Sequence, residues 1–129
     1  MPDIYVDIGP MDSSKAPKEY AAKVKGYMQE AAEKAVKKAK GFTTSGKGEG
    51  FTIRLKVAEL TVDAKSVSCK LSGELIRYPK AEMVSTGLTG NAKADGGKPE
   101  TLVKDCVESV VEDMMNKRVI PAMQKEARQ

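Results

Sequence analysis

The sequence contains no histidine and no tryptophan, and only two cysteines, two phenylalanines and four tyrosines in 129 residues. Each shortage excludes something. Without imidazole there is no Ser-His triad and no histidine general acid or base. The two thiols, Cys69 and Cys106, fall short of the three or four nitrogen and sulfur ligands of a zinc site. They read as small buried hydrophobes, or as one disulfide where the compartment is oxidising. With so few aromatics the core has to be built from Val, Leu, Ile, Ala and Met. No apolar run approaches the roughly 18 residues of a membrane span, and MPDIYVDIG lacks the basic and apolar regions of a secretory signal. The expectation is a soluble, cytoplasmic chain as written, or a bacterial envelope protein if an export signal has been trimmed away.

What is present suits a single domain over residues 1–129, large enough to form its own core without a cofactor. The hydrophobic share is 40% and the charged share 31%, for a net +4. That charge is unevenly placed. Residues 15–56 carry 11 Lys or Arg against 4 acids, whereas the other 87 residues carry 11 against 14. The basic half marks Lys34, Lys37, Lys38, Lys40 and Lys47 as a candidate contact for an anionic polymer or surface, set against the commoner role of a solvated helix face.

Hydrophobic periodicity divides the chain into six elements. Ile4, Val6 and Ile8 alternate with polar residues up to Gly9-Pro10, which predicts a short strand and a turn. Ser13 or Ser14 is placed to cap a helix, and Pro17 suits its first turn. From Lys15 to Lys40 an Ala-, Lys- and Glu-rich segment spaces Tyr20, Val24, Tyr27, Met28 and Val36 on one face, as a helix does. Phe51, Ile53, Leu55 and Val57 alternate as a strand, and the shift of phase to Leu60 and Val62 predicts a bulge at Ala58-Glu59. After a turn at residues 63–65, Val67 to Leu75 make the next strand. A weaker, glycine-interrupted one runs from Met83 to Asn91, and residues 94–99 read as a loop. Pro99 opens a second helix carrying a broad apolar stripe, and Pro121 is expected to kink or end it near Val119-Ile120, leaving a final frayed turn.

The predicted fold is therefore α+β, in the order strand, helix, three strands, helix: a four-stranded, mainly antiparallel sheet with two long helices on one face. Two methionines flanked by valines on the second helix read first as core, and because the stripe is wide and methionine suits adaptable surfaces, Val107, Val111, Met114 and Met115 are also a candidate partner or dimer interface.

Gly41 through Lys47, in GFTTSGKGEG, match the spacing GxxxxGK that opens a phosphate-binding P-loop. In a P-loop, however, that turn follows a strand and opens a helix, and Ser or Thr follows the lysine to hold magnesium. Here a helix precedes, a strand follows, and Gly48 stands where the hydroxyl belongs. Glu108, Glu112 and Asp113 lack a third ligand or proton-transfer partner and read as a solvated helix face. Of the aromatics near the lysines, Tyr20 and Tyr27 lie on the apolar stripe, which leaves Phe42 alone for base stacking. The residues imply no catalytic group, no metal and no cofactor.

The element order and the opening IYVDIGPMDSS resemble small α/β accessory domains of the bacterial cell envelope. These are the amino-terminal domain of the Tol-Pal translocation protein and the lipoprotein activators of penicillin-binding proteins. They share an early strand, an Asp/Ser-containing turn, a long helix, a strand meander and a closing helix. The resemblance implies a domain that binds proteins, or copies of itself, and catalyses nothing. It assigns no functional residue.

Overall fold

A computed structural model of the chain describes residues 3–46 and 48–128. Strand β1 (Ile4–Ile8) turns Val6 inward, and helix α1 (Ala21–Lys38) follows. The chain then returns to the end of the sheet where β1 begins, and the Ile4 amide donates to the Gly41 carbonyl at 2.8 Å. An extended segment starting there has to run parallel to β1. Phe42–Thr43 do so as β2, with Ile4 opposite Phe42. Strand β3 (Gly50–Val62) lies on the other side of β1, also parallel, with Val6 opposite Phe51 and Ile8 opposite Ile53. Strands β4 (Ser66–Tyr78) and β5 (Met83–Asp95) complete an antiparallel meander. The sheet order is β2-β1-β3-β4-β5. The expected four-stranded, mainly antiparallel sheet is thus corrected to a five-stranded mixed one, because the first residues of the loop after α1 pair as a strand.

The expected bulge is present. Val57 faces Leu71 and Glu59 faces Lys70, so Ala58 is the extra residue, and Leu60 and Val62 return to the inner face. The hairpin between Val62 and Ser66 also lies where the pattern put it.

Three boundaries differ from the pattern. Helix α1 begins at Ala21 after a series of turns, and no side chain caps it. Ser13 instead donates its hydroxyl to the Ala21 carbonyl at 2.7 Å, tying the preceding loop to the helix. Strand β5 continues to Asp95, since Ala92 and Ala94 keep facing inward. Most consequentially, Pro121 does not end the helical run. Helix α2 (Pro99–Met114) passes into a π-helical segment (Met115–Val119), in which the Ile120 amide bonds the Met115 carbonyl five residues back, and then into α3 (Ile120–Ala127). Pro121 sits in the first turn of α3, where its missing N–H is tolerated. The expected frayed tail is therefore an anchored helix. Met123 is fully buried, and Glu126 accepts from Arg77 of β4 at 2.6 Å.

The helices contact each other and the inner face of the sheet, and the buried residues form one aliphatic core. The register puts Arg54, Lys56 and Lys70 on the opposite face, where they are exposed.

Candidate functional site

Four places answer to the candidate residues, beginning with the stripe on α2. Val107, Val111, Met114 and Met115 are at most 1% exposed. Their environment is set by glycines on the two strands beneath. A Cβ on Gly90 would lie 2.7 Å from Met114 Cγ and 3.0 Å from Val110 Cγ1, and one on Gly73 would lie 3.5 Å from Met114 Cε. Gly73 and Gly90 thus form a notch that receives Met114, and the helix settles close onto β4 and β5. The candidate interface is corrected on this point: all four side chains belong to the core, because α2 packs on β4 and β5 with Gly73 and Gly90 making room beneath it.

The second place is the end of α1. Lys34, Lys37, Lys38 and Lys40 are exposed around its last turns, and none makes an ion pair among the described residues. Lys34 and Lys38 flank a shallow groove that Glu112 and Asn116 line from the neighbouring helical run. Lys47 lies outside the described residues. The GxxxxGK stretch divides into a helix stop at Gly41, where φ is 92°, the strand β2, and a turn in which Ser45 donates its amide to Thr43 Oγ1 at 3.2 Å. Among the described residues the stretch lies between α1 and β3 and opens no helix, so it lacks the helix N-terminus of a P-loop. Of the carboxylates, Asp113 is paired with Lys117 at 2.8 Å on the surface. Among the described residues no group of three His, Cys, Asp or Glu is placed to hold a metal.

The third place is the outer edge of β5, which runs past the expected end at Asn91 to Asp95. β5 is 13 residues long and, among the described residues, has no neighbour on its far side. The Gly96 amide donates to the Lys65 carbonyl, which fixes the alternation of the ladder. Residues 88, 90, 92 and 94 turn their backbone groups toward β4, whereas Thr89, Asn91 and Lys93 turn theirs outward. These three side chains are also exposed. The start of the strand carries Met83, which at 52% exposure is the most exposed large hydrophobic side chain described. The period-two alternation of Asn91, Lys93 and Asp95 with Ala92 and Ala94 was the available signal for this strand.

The fourth place is a cleft of about 270 Å³ at the end of the sheet, lined in part by Ile4, Phe51, Arg77, Tyr78 and Glu82. Beside it the rings of Tyr5 and Tyr78 meet edge to face at 5.1 Å, flanking Gly50, which has no side chain and is paired with both residues. Desolvation, and then the charge of Asp7, push the Tyr5 hydroxyl up. The Arg77 guanidinium lies over Phe51 at 5.8 Å and is committed to Glu126. These groups brace the junction of β1, β3, β4 and α3.

This arrangement of strands and helices recurs in solved bacterial proteins. Protein XCC0632 from Xanthomonas campestris, of the family model DUF330, superimposes with a TM-score of 0.63 at 8% identity, covering 99% of this chain and 91% of that one. The PelC dodecamer from Paraburkholderia phytofirmans gives 0.56 at 8% identity, with 88% and 86% covered. A putative lipoprotein from Caulobacter crescentus gives 0.54 at 13% identity, with 92% of each covered. At these identities the likeness is one of fold. No protein-family model and no curated protein sequence matches the chain. Among the described residues no helix is long and apolar enough to cross a membrane.

Proposed function

We propose that this chain is a non-catalytic assembly domain that joins a second copy of itself by adding strands along β5. The observation that carries the reading is the regular stretch of the outer edge over residues 88–95, whose outward backbone donors and acceptors have no partner strand among the described residues. An open edge of this length is a template for strand addition, which proteins ordinarily block with proline, a bulge or a covering element. β5 contains no proline, and its two register shifts against β4 both fall before residue 88, which leaves the rest of the edge regular. A protein of similar fold, PelC, is a dodecamer, which supports assembly as a use of this architecture. The placement of the α2 stripe in the core moves the expected contact from the helix to the sheet edge.

Asn91→Pro tests it. The Asn91 amide points away from β4, so proline there removes no bond within the domain and blocks only the outer edge. Light scattering on the wild type is expected to give a mass above the 13.9 kDa of one chain, rising with concentration. Asn91→Pro is expected to stay at one chain with an unchanged circular dichroism spectrum. A wild type that remains at one chain throughout overturns self-association.

A second reading rests on the exposed lysines at the end of α1, which support electrostatic binding of an anionic polymer or surface. It predicts retention on heparin that falls steeply with salt, and weakens when Lys37 and Lys40 are both changed to Glu. Equal elution of wild type and variant removes it.

A further inference from the structure

Cys69 and Cys106 are the only cysteines of the chain, and they stand 37 residues apart on different elements. Cys69 lies on the inner face of β4, between Leu60 of β3 and Ala92 of β5 in the register. Cys106 lies on the buried face of α2. The folding of α2 onto the sheet brings the two sulfurs to 2.6 Å, with both residues at most 3% exposed. The Cys106 thiol also reaches the Ala92 carbonyl at 3.3 Å. Two thiols that meet by chance in a core pack against carbon on most sides. Here each has the other as its nearest polar partner, and no third thiol competes.

We infer that Cys69 and Cys106 form a disulfide that locks α2 onto β4, and that the chain is built for an oxidising compartment. The oxidant is a disulfide of low molecular weight, such as oxidised glutathione, or the disulfide of an oxidoreductase. One cysteine thiolate attacks a sulfur of that disulfide, forming a mixed disulfide and releasing one reduced thiol. The second cysteine then attacks the first cysteine's sulfur and releases the other reduced thiol. The two protons lost by Cys69 and Cys106 end on the two released thiols, and two electrons pass to the oxidant. Their mutual hydrogen bond, and then burial, push the Cys69 thiol up, while the same hydrogen bond holds Cys106 down. Both sulfurs are covered in the folded domain, so the exchange takes place before α2 docks. Once formed, the bridge is shielded from reductant.

The bridge closes a loop of nearly 40 residues, large enough for a substantial constraint on the unfolded chain. The test refolds the reduced full-length protein in a mixture of oxidised and reduced glutathione, traps free thiols with N-ethylmaleimide, and weighs the product. The expected product is a single chain two mass units lighter than the reduced form, with no maleimide attached. Its Tm is expected to fall by on the order of 10 °C when a phosphine reductant is added during unfolding. The double variant Cys69→Ala, Cys106→Ala is expected to show no response to reductant. Two maleimides per chain, disulfide-linked dimers, or a bridged chain whose Tm ignores the reductant would each overturn the inference.

Discussion

Met114→Lys is expected to leave no cooperatively folded domain. Met114 is 1% exposed and fits the notch between Gly73 and Gly90 against Val110. The side chains that line the notch beside Met114, Leu55 and Val110, offer no carboxylate to pair with an ammonium group. An unpaired buried charge costs several kcal/mol, on the order of 3–5. The whole stability of a domain this size is about 5–15 kcal/mol, so the substitution removes a large part of it. Urea unfolding followed by circular dichroism reads the loss, with a midpoint far below the wild type or no transition at all. Met114→Leu keeps the volume and the apolar contact and should cost less than about 1.5 kcal/mol. The pair of variants separates burial from interaction. Were Met114 on a free surface, lysine would change the mass of the assembly and leave the unfolding midpoint alone.

Gly50→Ala is expected to be nearly as damaging, for a steric reason. A Cβ at residue 50 would overlap the carbonyl oxygen of Tyr5 and lie 2.7 Å from its carbonyl carbon. Both atoms are backbone, so relief requires β1 to move away from β3 at the register pair Tyr5–Gly50. That movement also separates Tyr5 from Tyr78. Forcing even one carbon into such a site typically costs 1–3 kcal/mol, and here about 3 because no side chain can yield. Hydrogen exchange is expected to quicken at Val6 and Ile8 of β1 while the meander of β3, β4 and β5 stays protected. Gly26→Ala serves as the control. A Cβ there meets nothing within 4 Å on α1, and alanine should stabilise the helix by about 0.5–1 kcal/mol. Equal midpoints for Gly50→Ala and the wild type would mean that the β1–β3 pairing contributes little to stability.

The two substitutions lie on opposite sides of what could be read from the amino acids. Alternation in Phe51–Val57 and its change of phase located β3 and its bulge, because a side-chain period of two leaves no other way to return Leu60 to the inner face. Alanine content and three- and four-residue spacing located α1, since those are the residues that lose least on entering a helix. The GxxxxGK spacing could be set aside on element order alone, because a phosphate cradle needs a helix N-terminus that this order does not supply.

Position in the sheet was not written in any one segment. Phe42–Thr43 are too short to show a period, and they become a strand only because α1 returns the chain beside β1. The sequence likewise could not say how a helix passes Pro121, since the π-helical segment before it is a matter of backbone hydrogen bonding.

By itself the sequence determined the six main elements, the aliphatic core, the bulge and the absence of histidine chemistry. Each follows from local periodicity or from a residue that is simply missing. Only the tertiary structure decided that the methionine stripe is core, that β5 is the open edge, and that Cys69 meets Cys106. An apolar face looks the same in sequence whether a sheet or another chain covers it. The distances that settle the matter join residues far apart along the chain, and only the packed fold brings them together.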